Sequence, residues 1–174
     1  MKAPKFFTTF FCTLFLFSSL LTACGSDASI GADPSSAKST SDSSTQISNP
    51  WEDCSSLEEA QQIAGFSIQV PDSIDGYPNR SIQVMDTSIV QVLYENDDEQ
   101  QILIRKGIGS DDISGDYNTY SETSQITVSD SSVTLKGNDG KIMVAIWNDG
   151  SYSYAIDASG LISEDMTALI EQIQ

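Results

Sequence analysis

Histidine is absent from this 174-residue chain and basic residues are scarce, since eight Lys and Arg stand against 25 Asp and Glu. Without histidine the chain has no Ser–His or Cys–His catalytic pair and no His-ligated zinc site. From residue 24 onward six basic residues accompany all 25 acids, which gives a net charge of −19. Because nucleic acids need clustered Lys and Arg, and anionic lipid repels an acidic surface, neither is an expected partner.

Phenylalanine is nearly confined to one end of the chain, because six of the seven lie within the first 17 residues. There Lys2 and Lys5 precede an apolar segment over 6–21, which is the order of charges and apolar core in a secretory signal peptide. A transmembrane anchor is the competing interpretation. At 16 residues, interrupted by Ser, Thr and Cys, the segment is shorter than the ~20 residues that span a bilayer.

The apolar segment ends in Leu21-Thr22-Ala23-Cys24, which closely resembles the lipobox of bacterial lipoproteins. The resemblance implies cleavage of residues 1–23 and lipidation, such as palmitate and related acyl chains, on Cys24. Two acyl chains give stable anchoring where one gives only marginal binding. We therefore expect an extracytoplasmic protein held by Cys24 on the outer face of a bacterial cell membrane. The alternative is an ordinary cleaved signal with a chance cysteine.

Cysteine is too rare for a disulfide framework, since the chain has three. Cys12 would leave with the signal peptide and Cys24 would be acylated, so Cys54 remains without an internal partner. A half-buried apolar residue before a helix is the favoured interpretation of Cys54, and a reactive or intermolecular thiol is the alternative.

Residues 24–50 are rich in Ser and lack any helix or strand period, which predicts a disordered tether after the lipidated cysteine. Its random-coil span is about 28 Å and its extended reach roughly 90 Å. A docking peptide or a modified Ser tract is the alternative to a spacer.

Residues 51–174 are predicted to form a single α+β domain. Ser55 and Ser56 begin a short helix that Gly65 ends, and Ser163 is the expected N-cap of a C-terminal helix. Between them, alternating residues and Asp-Gly turns predict an antiparallel sheet of six or seven strands in hairpins, flanked by the two helices. The alternating segments are 66–70, 82–84, 90–94, 102–104, 126–128, 133–135, 142–146 and 152–156. The C-terminal helix carries an apolar stripe of Met166, Leu169, Ile170 and Ile173 that should cover the sheet of a monomer.

The long irregular segment from Gly107 to Thr123 is the place where chemistry is most expected. A nucleotide loop is rejected, because Asp112 replaces the third glycine of the motif. Asp111, Asp112 and Asp116 are weak calcium candidates, since Ile113 and Gly115 break the EF-hand spacing. A carboxylate pair that hydrolyses glycosides is the third alternative. No cofactor is expected, and solvated loop charge is the default interpretation.

Five aromatic residues form the candidate binding surface. Trp147, Tyr152 and Tyr154 flank a tight hairpin, and Tyr117 and Tyr120 lie in the long loop. Together they suggest a platform on which a peptide or glycan could stack, with packing on the sheet as the default.

The folded region resembles the DUF4367-type extracytoplasmic domain. Segments 57–60, 64–66, 70–71 and 76–77 (LEEA, AGF, VP and GY) look like the start of that domain, and 145–147 with 150–154 (AIW and GSYSY) like its close. The similarity spans most of residues 51–174, although the second proline expected in segment 71–77 is missing. It implies the outer face of Gram-positive bacteria, in lipoproteins and beside anti-sigma or sporulation proteins, and it supplies no catalytic residues. We therefore expect a non-enzymatic binding or sensing domain, with a calcium-dependent adhesion module and a small hydrolase as alternatives.

Overall fold

The computed structural model describes residues 49–174, which form one antiparallel sheet and two helices. The α+β class is as predicted, and the sheet has eight strands rather than six or seven. The elements in chain order are β1 (Glu52–Cys54), α1 (Leu57–Ala64), β2 (Asn79–Met85), β3 (Ile89–Glu95), β4 (Gln101–Ile108), β5 (Glu122–Val128), β6 (Ser131–Asn138), β7 (Lys141–Asn148), β8 (Tyr152–Leu161) and α2 (Ser163–Ile170). The predicted signal peptide, Cys24 and nearly all of the tether lie outside the described residues.

The sheet consists of two four-stranded meanders that meet along one seam. The strand order is β1-β2-β3-β4-β8-β7-β6-β5, so β4 pairs with β8 and the sheet ends at β1 and β5. All neighbours are antiparallel, and at the seam Ile104 lies opposite Ile156. Short hairpins join consecutive strands from β2 to β4 and from β5 to β8 and so pair neighbours in the chain, whereas α1 lies between β1 and β2.

One face of the sheet, here called the helix face, carries the core. Successive side chains of a strand alternate between faces, and the core-cluster residues of β2–β4 and β6–β8 follow that alternation, whereas Val144 and Ala155 are buried outside that cluster. The helix face packs against residues of both helices, and the core cluster includes Ala60, Phe66, Met166, Leu169 and Ile170 from outside the strands. The predicted stripe of α2 is therefore core packing: Met166, Leu169, Ile170 and Ile173 are all buried.

Local signals place both ends of α1. Ser56 is the N-cap and accepts a hydrogen bond from the Glu59 N–H, while Ser55 donates its N–H and its hydroxyl to the Glu59 carboxylate. Gly65 ends the helix with φ of 77°, a conformation that favours glycine. The two serines thus share the predicted capping box.

One strand was not predicted, and two local predictions were wrong. The extra strand β1 has no alternating apolar pattern, and it pairs with β2 along the edge of the sheet. Residues 66–70 form no strand: Phe66, Ile68 and Val70 are buried, but the segment pairs only through Gln69, which exchanges two backbone hydrogen bonds with Gln174. Helix α2 begins at Ser163, one residue earlier than predicted, so its N-cap is Ile162 and no side chain caps it.

Cys54 lies where the sequence predicts, directly before α1 and half-buried against the core. Burial raises the pKa of its thiol, and the carboxylates of Glu59, Glu52 and Asp53 raise it further. The thiol therefore stays protonated at neutral pH, which disfavours reactivity.

No helix within residues 49–174 is both long enough and apolar enough to cross a bilayer.

Candidate functional site

The connection between β4 and β5, residues 109–121, lies against the second face of the sheet and is here called the strap. Arg105 of β4 holds it: the guanidinium donates Nε–H to Gln91 Oε1 at 2.9 Å and Nη1–H to the carbonyls of Ile113, at 3.1 Å, and Ser114. The same guanidinium lies 5.4 Å from the ring centre of Trp51. Burial lowers the pKa of Arg105, although Asp157 opposes that shift. The group remains charged, so these are charge-assisted hydrogen bonds.

A row of polar side chains extends from Arg105 to the edge of the sheet. Gln91 Nε2 donates to Gln83 Oε1 at 2.5 Å, and Gln83 Nε2 donates to Asp53 Oδ1 at 2.7 Å. Gln83, Gln91 and Arg105 lie side by side in the register of β2, β3 and β4. The row therefore links the edge strand β1 to the strap across three neighbouring strands.

The three calcium candidates do not converge. Asp112 accepts hydrogen bonds from Ser114 and lies 3.4 Å from Lys136 Nζ, and Asp116 accepts from Asn118 and Tyr120. Asp111 is exposed. Within residues 49–174 no group of three acidic or Cys side chains is placed to hold a metal ion. Calcium binding stays a prediction without a preformed site.

The pKa values of the two strap acids, Asp112 and Asp116, shift in the opposite direction to the pKa of Asp157 on the sheet. Burial acts to raise the pKa of both Asp112 and Asp116, but their hydrogen bonds outweigh it and lower the pKa of each. On β8, burial raises the pKa of Asp157 and the charge of Asp116 raises it further. Burial and Asp116 likewise raise the pKa of Tyr120 to about 12. A carboxylate hydrolase needs two acids whose pKa values are shifted in opposite directions. Here, however, the Asp116 carboxylate already accepts hydrogen bonds from Asn118 and Tyr120.

The five predicted aromatic residues separate into two places. Trp147 and Tyr154 stack at 5.2 Å between ring centres and are buried, at 6% and 5% exposure. Tyr152 is half-buried against Phe66, also at 5.2 Å. Tyr117, on the strap, is 97% exposed, and Tyr120 is half-buried there. The hairpin aromatics thus stabilise the core of the helix face, and the strap tyrosines remain the exposed part of the predicted surface.

A buried lysine that sequence reasoning missed lies among these rings. Lys106 is only 6% exposed, with Nζ 4.5 Å and 5.0 Å from the ring centres of Tyr152 and Tyr154. Tyr154 donates its hydroxyl to Asp149 at 2.9 Å. Burial lowers the pKa of Lys106, and the Asp149 charge opposes that shift. The signal was present in the sequence, because the alternation of Ile102 and Ile104 places Lys106 on the apolar face.

The two edges of the sheet differ in their protection. Strand β1 is three residues long and carries Glu52 and Asp53, whereas β5 is seven residues long and uncharged from Thr123 to Val128. Its first five residues are largely exposed. Within the described part of the chain β5 pairs only with β6, so its outer backbone groups face no other strand. Short or charged strands discourage pairing with other chains, and β5 has neither protection over these six residues.

Comparison with protein-family models, curated proteins and solved structures finds no match to this chain. The DUF4367-type resemblance and the lipoprotein signal therefore stay predictions from the sequence.

We predict that Arg105→Lys destabilises the domain by about 2 kcal/mol and loosens the strap. Lysine cannot reach Gln91 and the two strap carbonyls together, and a hydrogen bond to a charged group contributes about 1.5–3 kcal/mol. Urea unfolding measures the first effect, and hydrogen exchange of the amides at 113–118 the second. Lys141→Gln, at an exposed position, should change neither. Unchanged strap exchange in Arg105→Lys would show that Arg105 does not hold the strap.

Proposed function

We propose that this protein is a monomeric, lipid-anchored binding or sensing domain on the outer face of a bacterial cell membrane, and that it recruits a protein partner by strand addition to β5. The signal peptide and Cys24 support the location, and the Ser-rich tether supports a domain that stays close to the membrane. The single observation that carries the binding role is the open edge of β5.

The geometry of β5 suits an extended partner segment. Its start is fixed by the β6–β7 turn: Asn138 Oδ1 accepts from the Ser121 N–H at 2.8 Å, and Glu122 accepts from the Gly140 N–H. Along its whole length β5 pairs with β6, through seven residue pairs. The strand is thus ordered before a partner arrives, and an added strand need only satisfy the outer row of N–H and C=O groups.

The charge of the domain selects the chemistry of the partner. Residues 51–174 contain 22 acids and five basic residues, so a second copy would be repelled at long range. The central residues of β5 are uncharged, whereas Glu122 and Asp130 lie at its two ends. We therefore infer an extended segment that is β-prone and uncharged in the middle and carries Lys or Arg at its flanks.

Selection from a library of random twelve-residue peptides displayed on phage tests this proposal. The purified full chain is the bait, and we expect enrichment of β-branched segments with basic flanks. Hydrogen exchange with an enriched peptide should then protect the amides of β5, and binding should weaken as salt rises. Enriched peptides that protect other strands, or no enrichment at all, would contradict strand addition.

Two neighbouring proline substitutions provide the matched control. Successive N–H groups of a strand alternate sides, so one of Ser124→Pro and Gln125→Pro removes a donor of the open edge and the other a donor to β6. The variant that removes a donor of the open edge should keep its stability and bind the peptide at least about tenfold more weakly, a loss of about 1.4 kcal/mol. The variant that removes a donor to β6 should lose stability. If the variant of unchanged stability binds normally, the peptide does not pair with β5.

A further inference from the structure

A guanidinium group at the start of β2 has two hydrogen-bond donors that the described chain leaves unused. The Nε and Nη2 atoms of Arg80 are both buried, and neither has a hydrogen-bond partner within residues 49–174. These two N–H groups point in parallel from one side of the guanidinium, which is the arrangement that binds both oxygens of a carboxylate. Buried donors without a partner are unfavourable, so an acceptor at this position would be stabilised.

The rest of the side chain is positioned by its neighbours. The guanidinium lies 5.7 Å from the ring centre of Tyr94, a fully buried residue whose hydroxyl donates to the carbonyl of Pro71. The third nitrogen, Nη1, is 3.8 Å from Asp72 Oδ1, too far for a direct hydrogen bond. The Asp72 side chain is fully exposed. The one nearby acid therefore leaves the parallel pair of donors free.

A pocket of about 510 Å³ adjoins Arg80. Its walls are Tyr94, Arg80 and the loop that connects residue 70 to β2, and that loop contributes two acids, Asp72 and Asp75. A single bridge between Ile74 and Tyr77 closes the loop, which is otherwise largely exposed. Ile74 and Tyr77 pack against the core, whereas Asp72, Ser73, Asp75 and Gly76 are exposed, and movement of this exposed part would uncover the buried donors.

We propose that this pocket binds a free α-amino acid, with its carboxylate on the Nε and Nη2 groups of Arg80 and its ammonium beside Asp72 or Asp75. A cation and two anions at one pocket match a zwitterion. Phosphate carries up to two negative charges, so the same two acids and the strongly acidic domain would repel it. The pocket is large enough for the side chain of the amino acid, and Ile74, Tyr77 and Pro78 give it apolar walls. The site does not depend on strand addition at β5.

Thermal unfolding of the full chain with each of the twenty L-amino acids tests the proposal. At about 100 times its dissociation constant, a true ligand should raise Tm by about 5 °C or more. The amide of the same amino acid, which lacks the carboxylate, and inorganic phosphate should give no shift. No shift with any amino acid, or an equal shift with the amide or with phosphate, would overturn the proposal.

Arg80→Gln, which removes the charge and the parallel donors, should abolish the shift, and an unchanged shift would place the ligand elsewhere. If Arg80→Gln fails to fold, ¹H–¹⁵N spectra of the unmodified chain decide. The chain has only two arginines, Arg80 and Arg105, so the Arg105→Lys spectrum assigns both Nε signals. The Arg80 Nε–H signal should move when the amino acid binds while that of Arg105 stays in place, and a static Arg80 signal would overturn the proposal.

Discussion

Gly137→Ala should destabilise the domain by about 3 kcal/mol or more. Gly137 lies where the register of β6 and β7 shifts by a bulge between Lys136 and Gly137. A Cβ added there would lie 1.9 Å from the carbonyl oxygen of Lys141 and 2.9 Å from its carbonyl carbon. Both are backbone atoms, so no side chain can turn away and the hairpin itself must deform. Overpacking of a relaxed core costs about 1–3 kcal/mol, and a backbone collision lies at or above the top of that range.

Gly140→Ala, in the same hairpin, is the matched control. Gly140 has φ of 70°, but a Cβ there meets nothing within 4 Å. The cost is then only the strain of a left-handed conformation, about 1 kcal/mol. Denaturant unfolding of both variants at one temperature measures the difference. Gly137 has no positive φ, so equal losses of stability would contradict the close approach of Lys141 as the reason for the glycine at 137.

Cys24→Ala should abolish lipid labelling and cleavage of the signal completely. In the proposed lipoprotein the Cys24 sulfur would carry the diacylglyceryl group, and alanine offers no nucleophile in its place. With 25 acids and six basic residues after residue 23, the proposed exported protein would be repelled by anionic lipid, so in this proposal the acyl chains supply the membrane affinity. Radioactive palmitate labelling in a Gram-positive host, with intact mass of the product, measures both events.

Cys12→Ala is the control for this substitution, because it removes a thiol that lies inside the apolar core of the signal. It should leave both labelling and cleavage after residue 23 unchanged. Label that persists in Cys24→Ala would place the lipid elsewhere. An unmodified chain that is cleaved without label would make the segment an ordinary secretory signal.

The sequence predicted the parts of the fold that depend on local signals. Alternating residues located seven of the eight strands, and the Asp139-Gly140 turn has the positive φ values, 54° and 70°, that its hairpin requires. The strand β1 was not predicted because two acidic residues and one cysteine at the edge of a sheet show no apolar period. Ile162 replaces the expected N-cap because the chain enters α2 directly from β8, and Ser163 is already the first helical residue.

The candidate sites were harder to predict because they depend on which strands become neighbours. Nothing local indicates that Gln83, Gln91 and Arg105 form one row, since their adjacency exists only in the register of three strands. The unused donors of Arg80 likewise follow from its burial between Tyr94 and a loop. The acids of the strap were predicted as a group, but an Asp that can bond a Ser or Asn two residues away satisfies itself locally. Sequence alone shows the charges and not these partners.

The seam between the two meanders also determines when the domain can close. The strands β1–β4 come first among the described strands. β2, β3 and β4 pair through hairpins, and β1 pairs with β2 across α1. The edge of β4 that pairs with β8 stays unpaired until β5, β6, β7 and β8 have followed it in the chain. Long-range pairings of this kind are slow because the intervening chain must be ordered first. We therefore expect closure of the seam to be a late and slow step of folding.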